Sequence, residues 1–203
     1  MGSRIDIVLF AEDSASEQIL RAFTDRVARD CGAAVDIKTV AACGGYSVMI
    51  EELRAYQTLA EKGQPGLPAC DVLVVGRDGN CKGHSATRAE LDREIKPKVF
   101  PRVVRACPDP HIERWLLNDP AAVSRAVGCA PEVPARKCER GRYKAALESV
   151  VARGGHPRTF GGSEFAYEIA READLYSAGA SDPSFRAFVD ELKGILERAK
   201  SDR

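Results

Sequence analysis

Short apolar runs alternate with stretches of helical periodicity along the first half of the chain. Aliphatic runs bounded by polar residues or glycine predict four β-strands, near residues 4–11, 34–40, 72–75 and 99–107. Apolar residues three or four positions apart predict helices between these strands, at residues 14–31, 47–62 and 87–95. This alternation predicts an α/β domain over residues 1–108, with a mostly parallel sheet flanked by helices.

The third predicted strand is the most apolar. Residues 72–75 are all valine or leucine and lie between Asp71 and Gly76. Such a run is too short for a buried helix and is typical of a strand covered on both faces, as in parallel sheets. Pro101 falls within the fourth predicted strand. Because proline cannot donate a ladder hydrogen bond, that strand should be irregular or lie at an edge of the sheet.

The chain changes character after the fourth strand, because prolines divide short helical segments and no further strand pattern occurs. Apolar spacing predicts helices at residues 142–153, 165–176 and 185–196. Asp182 and Pro183 suit the cap and the first turn of the last one. Each helix carries an apolar stripe that needs a partner surface. We therefore expect a helical C-terminal region, residues 109–203, packed on the α/β domain without a flexible tether.

Composition limits the classes of protein that the chain can represent. Its 203 residues suffice for a full core, and its 30 basic and 30 acidic residues cancel, so no global field attracts nucleic acid. No apolar run approaches the roughly 20 residues that span a bilayer, and the N-terminus has no signal-peptide layout. The sequence predicts a cytoplasmic protein without membrane contact and leaves its oligomeric state open.

The cysteines predict reduced thiols, because seven is an odd number and no Cys-x-x-Cys pair occurs. Cys81, His84, Cys107 and His111 follow two predicted strands as two close pairs, so a tetrahedral Zn²⁺ site is conceivable. Their spacing is unusual, and unrelated thiols and imidazoles explain it better. A basic cluster at residues 136–142 is either a solvated surface or a phosphate contact.

Acidic and amide side chains lie where the predicted strands end. Glu12 follows the first strand, Asp78 and Asn80 follow the third, and Glu113 follows the fourth. Ligands of open α/β sheets bind beyond the carboxyl ends of the strands, and oxygen atoms are the ligands that Mg²⁺ prefers. The pattern predicts a shared metal site with the ligands Glu12, Asp78 and Asn80. Asp-Gly-Asn is equally good turn chemistry, so a purely structural role for the tripeptide stays open.

Basic side chains and a histidine complete the candidate site. Arg77 and Lys82 flank the tripeptide and are either phosphate contacts or ordinary surface charges. His111 is a candidate proton carrier or phosphate contact beside the metal site. With Glu12 and Glu113, it forms the set of candidate catalytic residues.

The acidic residues also have structural explanations. Glu12 favours the positive end of the helix that follows it, and Glu17 completes a capping box in which the Ser14 hydroxyl caps that helix. Glu113 suits the first turn of a helix whose apolar side holds Trp115. For Glu17 the capping role is the preferred one, and for Glu113 the two roles are balanced.

The order of these residues resembles the topoisomerase-primase (Toprim) fold, in which a Glu follows the first strand and an Asp-x-Asp follows the third. Glu12 and Asp78-Gly79-Asn80 match that pattern. The chain looks most like small stand-alone Toprim-like proteins related to the overcoming-lysogenization-defect nucleases, where a second Glu, here Glu17, lies in the next helix. Residues 110–119, with the sequence PHIERWLLND, are similar to a Glu-x-Trp-Leu-Leu-x-Asp element of such proteins.

The resemblance implies a Mg²⁺- or Mn²⁺-dependent nuclease acting on DNA or RNA, with aspartates holding the metal and Glu12 handling protons. It also implies an effector of prokaryotic anti-phage defence that works with an ATPase. Asp13 stands where the Toprim pattern has Gly, and Asn80 where it has Asp, so one negative charge is missing. A non-catalytic binding or regulatory subunit with the same architecture is the alternative.

Overall fold

The computed structural model describes residues 4–41, 43–133, 138–139 and 141–202. Its strands are β1 (Ile5–Phe10), β2 (Val35–Ala41), β3 (Val72–Gly76) and β4 (Val103–Ala106). The helices between the strands are α1 (Ser14–Asp30), α2 (Gly45–Glu61) and α3 (His84–Asp92). The C-terminal region contains α4 (Glu113–Leu117), α5 (Pro120–Val127), α6 (Arg142–Arg153), α7 (Ala166–Glu172), α8 (Leu175–Ser181) and α9 (Pro183–Ser201).

The described strands form one parallel sheet in the order β2-β1-β3-β4. This confirms the predicted α/β class with a parallel sheet flanked by helices and followed by a helical C-terminal region. All residues of β3 are buried, because helices cover both faces of the sheet there. β4 lies at the edge of the sheet, as Pro101 predicted, because an edge strand needs ladder hydrogen bonds on one side only.

Two local details differ from the sequence prediction. Asp13, not Ser14, caps α1: its backbone is extended and its carboxylate accepts the Ser16 N–H at 2.8 Å, so Ser14 already lies inside the helix. The helix predicted at 165–176 is two helices, α7 and α8, because the chain is extended at Ala173 and Asp174 begins a new cap.

One core joins the sheet to the C-terminal helices. The single tryptophan, Trp115, packs against Phe23 of α1 and against Phe185 and Phe188 of α9, with ring centroids 6.5, 5.3 and 5.0 Å away. These contacts bury an aromatic cluster between the two halves of the chain. A second core on the opposite face of the sheet contains Tyr56 and lies under α2 and α3.

A disulfide joins Cys81 to Cys138, so the expectation of reduced thiols is wrong for these two residues. They are 57 positions apart in sequence, but their Cα atoms lie 5.6 Å apart, a proximity that sequence spacing does not reveal. In the predicted basic cluster, Arg136, Lys137 and Arg140 lie outside the described residues. Within the described ranges, none of the helices combines the length and apolar character needed to cross a bilayer.

Candidate functional site

The carboxyl ends of β1 and β3 bring Glu12 and Asp78 together. The two strands are adjacent and parallel, and Phe10 at the end of β1 stands opposite Val75 near the end of β3. The Asp78 backbone N–H faces the Glu12 carboxylate and lowers its pKa as a hydrogen-bond donor. The two acids therefore share one site although they lie far apart in sequence.

Asp78 is fixed by the segment that follows β4. Its Oδ2 lies 3.0 Å from Nδ1 of His111, and its Oδ1 accepts the Ile112 N–H at 3.0 Å. Next to it, the Gly79 N–H donates to the Pro108 carbonyl at 2.7 Å. A Cβ at position 79 would approach that carbonyl oxygen to 2.8 Å, so the loop fits here only because residue 79 is glycine.

Burial, and for Glu12 and Glu113 also the charge of Asp78, raises the pKa of the acids of the site. Burial, followed by the Asp78 charge, raises the pKa of Glu12 from the ordinary 4.5 to about 7, although Arg77 opposes the rise. Burial also raises the pKa of Asp78, against the opposing effect of His111. Burial and then the Asp78 charge raise the pKa of Glu113 in the same way. Burial thus raises the pKa of all three acids of the site.

The pKa of His111 is also raised, but its hydrogen-bond partner raises it and burial does not. The hydrogen bond to Asp78, reinforced by that carboxylate's charge, raises the pKa of His111 although partial burial lowers it. Because Asp78 holds Nδ1, the orientation of the imidazole ring is set by the loop after β3. The structure therefore places His111 beside the acidic pair, where the sequence suggested a proton carrier.

Arg77 and Lys82, the predicted phosphate contacts, both pair with Glu90, an acid that the sequence pattern did not single out. Arg77 pairs with Glu90 of α3 at 2.5 Å, and Lys82 Nζ lies 3.2 Å from the same carboxylate. The Arg77 guanidinium also stacks 3.6 Å from the ring centroid of Tyr46. The Gly44-Gly45 pair was a usable signal for Tyr46, because it starts α2 at the same edge of the sheet.

Asn80 lies in a tight turn, the structural role that the sequence left open beside metal binding. Its side chain is exposed, its φ is +44°, and its Nδ2 lies 3.4 Å from the carbonyl oxygen of Asp78. Asparagine tolerates this left-handed backbone better than most residues. The contact stabilises the turn and leaves a metal-binding role for Asn80 as a prediction.

Metal ligands are not pre-assembled in the part of the chain that the structure describes: no group of three His, Cys, Asp or Glu side chains is arranged to hold an ion. The conceivable Zn²⁺ set of Cys81, His84, Cys107 and His111 also loses one thiolate, because Cys81 is bonded to Cys138. Burial raises the pKa of the Cys107 thiol to about 12, which disfavours a second thiolate.

Comparison with family models, with curated proteins and with solved structures yields no match to this chain. The interpretation of the site therefore rests on its own geometry and electrostatics.

Proposed function

We propose that this chain is a Mg²⁺- or Mn²⁺-dependent enzyme that cleaves phosphodiester bonds, a nuclease of Toprim-like architecture. The observation that carries the proposal is the pairing of Glu12 with Asp78 at the carboxyl edge of adjacent parallel strands. A partly buried acid with a raised pKa beside a second acid, at the carboxyl edge of a parallel sheet, is typical of a functional site.

The donor set fits a hard divalent cation. Mg²⁺ is usually held by one or two carboxylates, with water and substrate phosphate completing its shell, so three preassembled side chains are not required. Glu12 and Asp78 would hold the ion, and Asn80 remains the third predicted ligand. Each carboxylate oxygen has two lone pairs, so the Asp78 oxygens retain acceptor capacity beyond their bonds to His111 and Ile112. Such a cation polarises a phosphoryl oxygen and stabilises the leaving oxygen.

The chain's own residues supply proton transfer. In the metal-free protein Glu12, with a pKa of about 7, exists in both protonation states near neutral pH, as a general acid or base requires, and coordination to the ion would favour its ionised, proton-accepting form. His111 is oriented through Nδ1 by Asp78, so its Nε2 is the nitrogen that would exchange a proton with the substrate. Glu113, the third acid of the site, has a raised pKa for the same physical reason as Glu12.

Substrate contact would use the basic residues beside the loop. Arg77 and Lys82 share Glu90, so their charges are partly neutralised until a phosphate competes with that carboxylate. The Lys82 side chain is 55% exposed, and that of Arg77 is 12% exposed, which makes Lys82 the more accessible contact. The wider role, as the effector of a cytoplasmic anti-phage system with an ATPase partner, has support from the sequence resemblance alone.

A binding or regulatory subunit without turnover is the second candidate. The specific observation in its favour is that both Asp78 oxygens already accept hydrogen bonds, from His111 and from the Ile112 backbone. Asn80 in place of a third acid points the same way. In this case the acidic pair would maintain the loop and its histidine without supporting hydrolysis.

Nuclease assays separate the two candidates. Purified full-length protein is incubated with DNA, RNA and tRNA, with Mg²⁺, with Mn²⁺ or with chelator. We expect cation-dependent cleavage by the wild type and a loss of at least about 100-fold in the Glu12→Gln and Asp78→Asn variants. Glu52→Gln is the matched control, because Glu52 is an exposed acid on α2.

Each outcome has a distinct meaning. Cleavage that is lost in both site variants and kept in Glu52→Gln supports the enzyme. Cleavage that survives both substitutions refutes this site as its source. Binding of nucleic acid without cleavage under all these conditions favours the regulatory candidate.

A further inference from the structure

The disulfide lies next to the candidate site. Cys81 is in the loop that begins with Asp78 and Gly79, and Cys138 lies shortly before α6. Both residues are exposed at the protein surface. Exposed disulfides are rare in a reducing compartment, which is the one that the sequence predicts, and those that occur there are usually transient or redox-sensing.

The loop beside this bond has an unfavourable backbone. Asn80 and Cys81 are consecutive non-glycine residues with φ values of +44° and +68°. Side chains with a Cβ seldom adopt this conformation, so something must hold the loop in it. The first half of the loop is held by backbone hydrogen bonds from Gly79 to Pro108 and from Asn80 to Pro110, at 2.7 and 3.0 Å. At Cys81 the covalent bond to Cys138 provides the anchor.

We propose that the Cys81–Cys138 bond is a reversible redox switch that orders the loop bearing Asp78 and Asn80. In the oxidised protein the bond keeps Asn80 and Cys81 in the left-handed conformation. In the reduced protein this part of the loop relaxes, while Asp78 stays tied to His111 and Ile112. The proposal concerns the order of the loop and is independent of whether the site cleaves phosphodiesters.

The switching reaction is thiol–disulfide exchange with a dithiol. One thiolate of the dithiol attacks a sulfur of the protein disulfide, which breaks the Cys81–Cys138 bond and forms a mixed disulfide. The second thiolate displaces the protein sulfur, so the dithiol leaves as a cyclic disulfide. Two electrons pass to the protein, and the two protons of the dithiol end on the thiols of Cys81 and Cys138. A disulfide of the same class reverses the reaction.

Hydrogen exchange measured by mass spectrometry tests the proposal. The full-length protein is equilibrated with oxidised or with reduced dithiothreitol, and alkylation of trapped thiols gives the fraction reduced. The informative amides are those of Gly79 and Asn80, which donate to the carbonyls of Pro108 and Pro110, and that of Lys82, which donates to the Gly79 carbonyl. We expect the Asn80 and Lys82 amides to exchange at least about ten-fold faster after reduction, with β1 and α9 unchanged.

Matched variants distinguish the bond from general effects of the reductant. Cys81→Ser in oxidising buffer should exchange like the reduced wild type and should not respond to dithiothreitol. Cys43→Ser should respond like the wild type, because Cys43 is an exposed free cysteine. The proposal is overturned if oxidised protein yields no Cys81–Cys138 peptide. It is also overturned if loop exchange in the two redox states differs by less than about two-fold.

Discussion

The Nδ1 atom of His111 lies 3.0 Å from Oδ2 of Asp78, and this contact ties the loop after β3 to the segment after β4. The second Asp78 oxygen, Oδ1, accepts a hydrogen bond from the Ile112 N–H, so both carboxylate oxygens have a partner. In this arrangement the Nδ1 atom of His111 is occupied by Asp78, and Nε2 is the nitrogen left for proton exchange. The acid that sequence order marked as a metal ligand is thus also the residue that positions the candidate proton carrier.

Removing the Asp78 charge should lower the pKa of His111. In Asp78→Asn the side chain keeps its size, but the carboxylate that favours the imidazolium is gone. NMR titration can follow this directly, because the chain has three histidines. An unchanged His111 titration would show that the contact with Asp78 does not form in solution.

Neutralising Glu12 should stabilise the metal-free protein at alkaline pH. Its folded-state pKa of about 7 lies above the ordinary 4.5, so the folded state binds the Glu12 proton more tightly than the unfolded state does. This tighter proton binding contributes to the free energy of unfolding. This contribution is present below pH 4.5 and is lost as pH rises through 7. Glu12→Gln keeps a neutral side chain at every pH. We expect it to raise the free energy of unfolding by about 1–3 kcal/mol at pH 8 and to have little effect at pH 4.

Urea denaturation at the two pH values measures this difference. Glu52→Gln removes an exposed acid of the same type and should change stability by less than about 0.5 kcal/mol at either pH. A Glu12→Gln variant that is less stable than the wild type at pH 8 would mean that the ionised carboxylate is stabilised by its surroundings, contrary to its raised pKa.

Ser184 links the site segment to the C-terminal helix. Its buried hydroxyl accepts hydrogen bonds from the Asp109 N–H at 3.2 Å and the Trp115 Nε1–H at 3.1 Å, and donates to Asp182 at 2.6 Å. Ser184→Ala leaves these buried groups without that partner, so we expect a loss of about 2–4 kcal/mol. Ser201→Ala, at an exposed position in α9, should lie within about 0.5 kcal/mol of the wild type. Equal stabilities of the two variants in urea would contradict this role.

The sheet was predictable because its strands are marked by local signals. Residues 72–75 form an uninterrupted apolar run that ends at Gly76, and the strand they predict is buried throughout. The proximity of Glu12 and Asp78 follows from the same signals, since adjacent parallel strands end at one edge. The cap of α1 was misplaced by one residue, because Asp13 and Ser14 are both good capping residues and sequence alone does not rank them.

The missing parts of the site depend on contacts between distant residues. Glu90 pairs with Arg77 and Lys82 and partly neutralises them, but one acid on a helix surface looks like any other in the sequence. The bond between Cys81 and Cys138 requires that the loop before α3 and the chain before α6 approach each other, which no periodicity encodes. The local sequence pattern thus indicated where the acidic residues come together, and tertiary contacts determine which charged side chains are paired with one another.

Cation binding at the acidic pair is the central claim, and thermal denaturation with and without Mg²⁺ or Mn²⁺ tests it most directly. A ligand that binds only the folded state stabilises it by about 2.7 kcal/mol at a concentration 100 times its Kd. We expect either cation to raise the Tm of the wild type and of Glu52→Gln. The rise should be much smaller in Asp78→Ala and in Asp78→Asn, which keeps the side-chain volume. An equal rise in all four proteins, or no rise in the wild type, would contradict a metal site shared by Glu12 and Asp78.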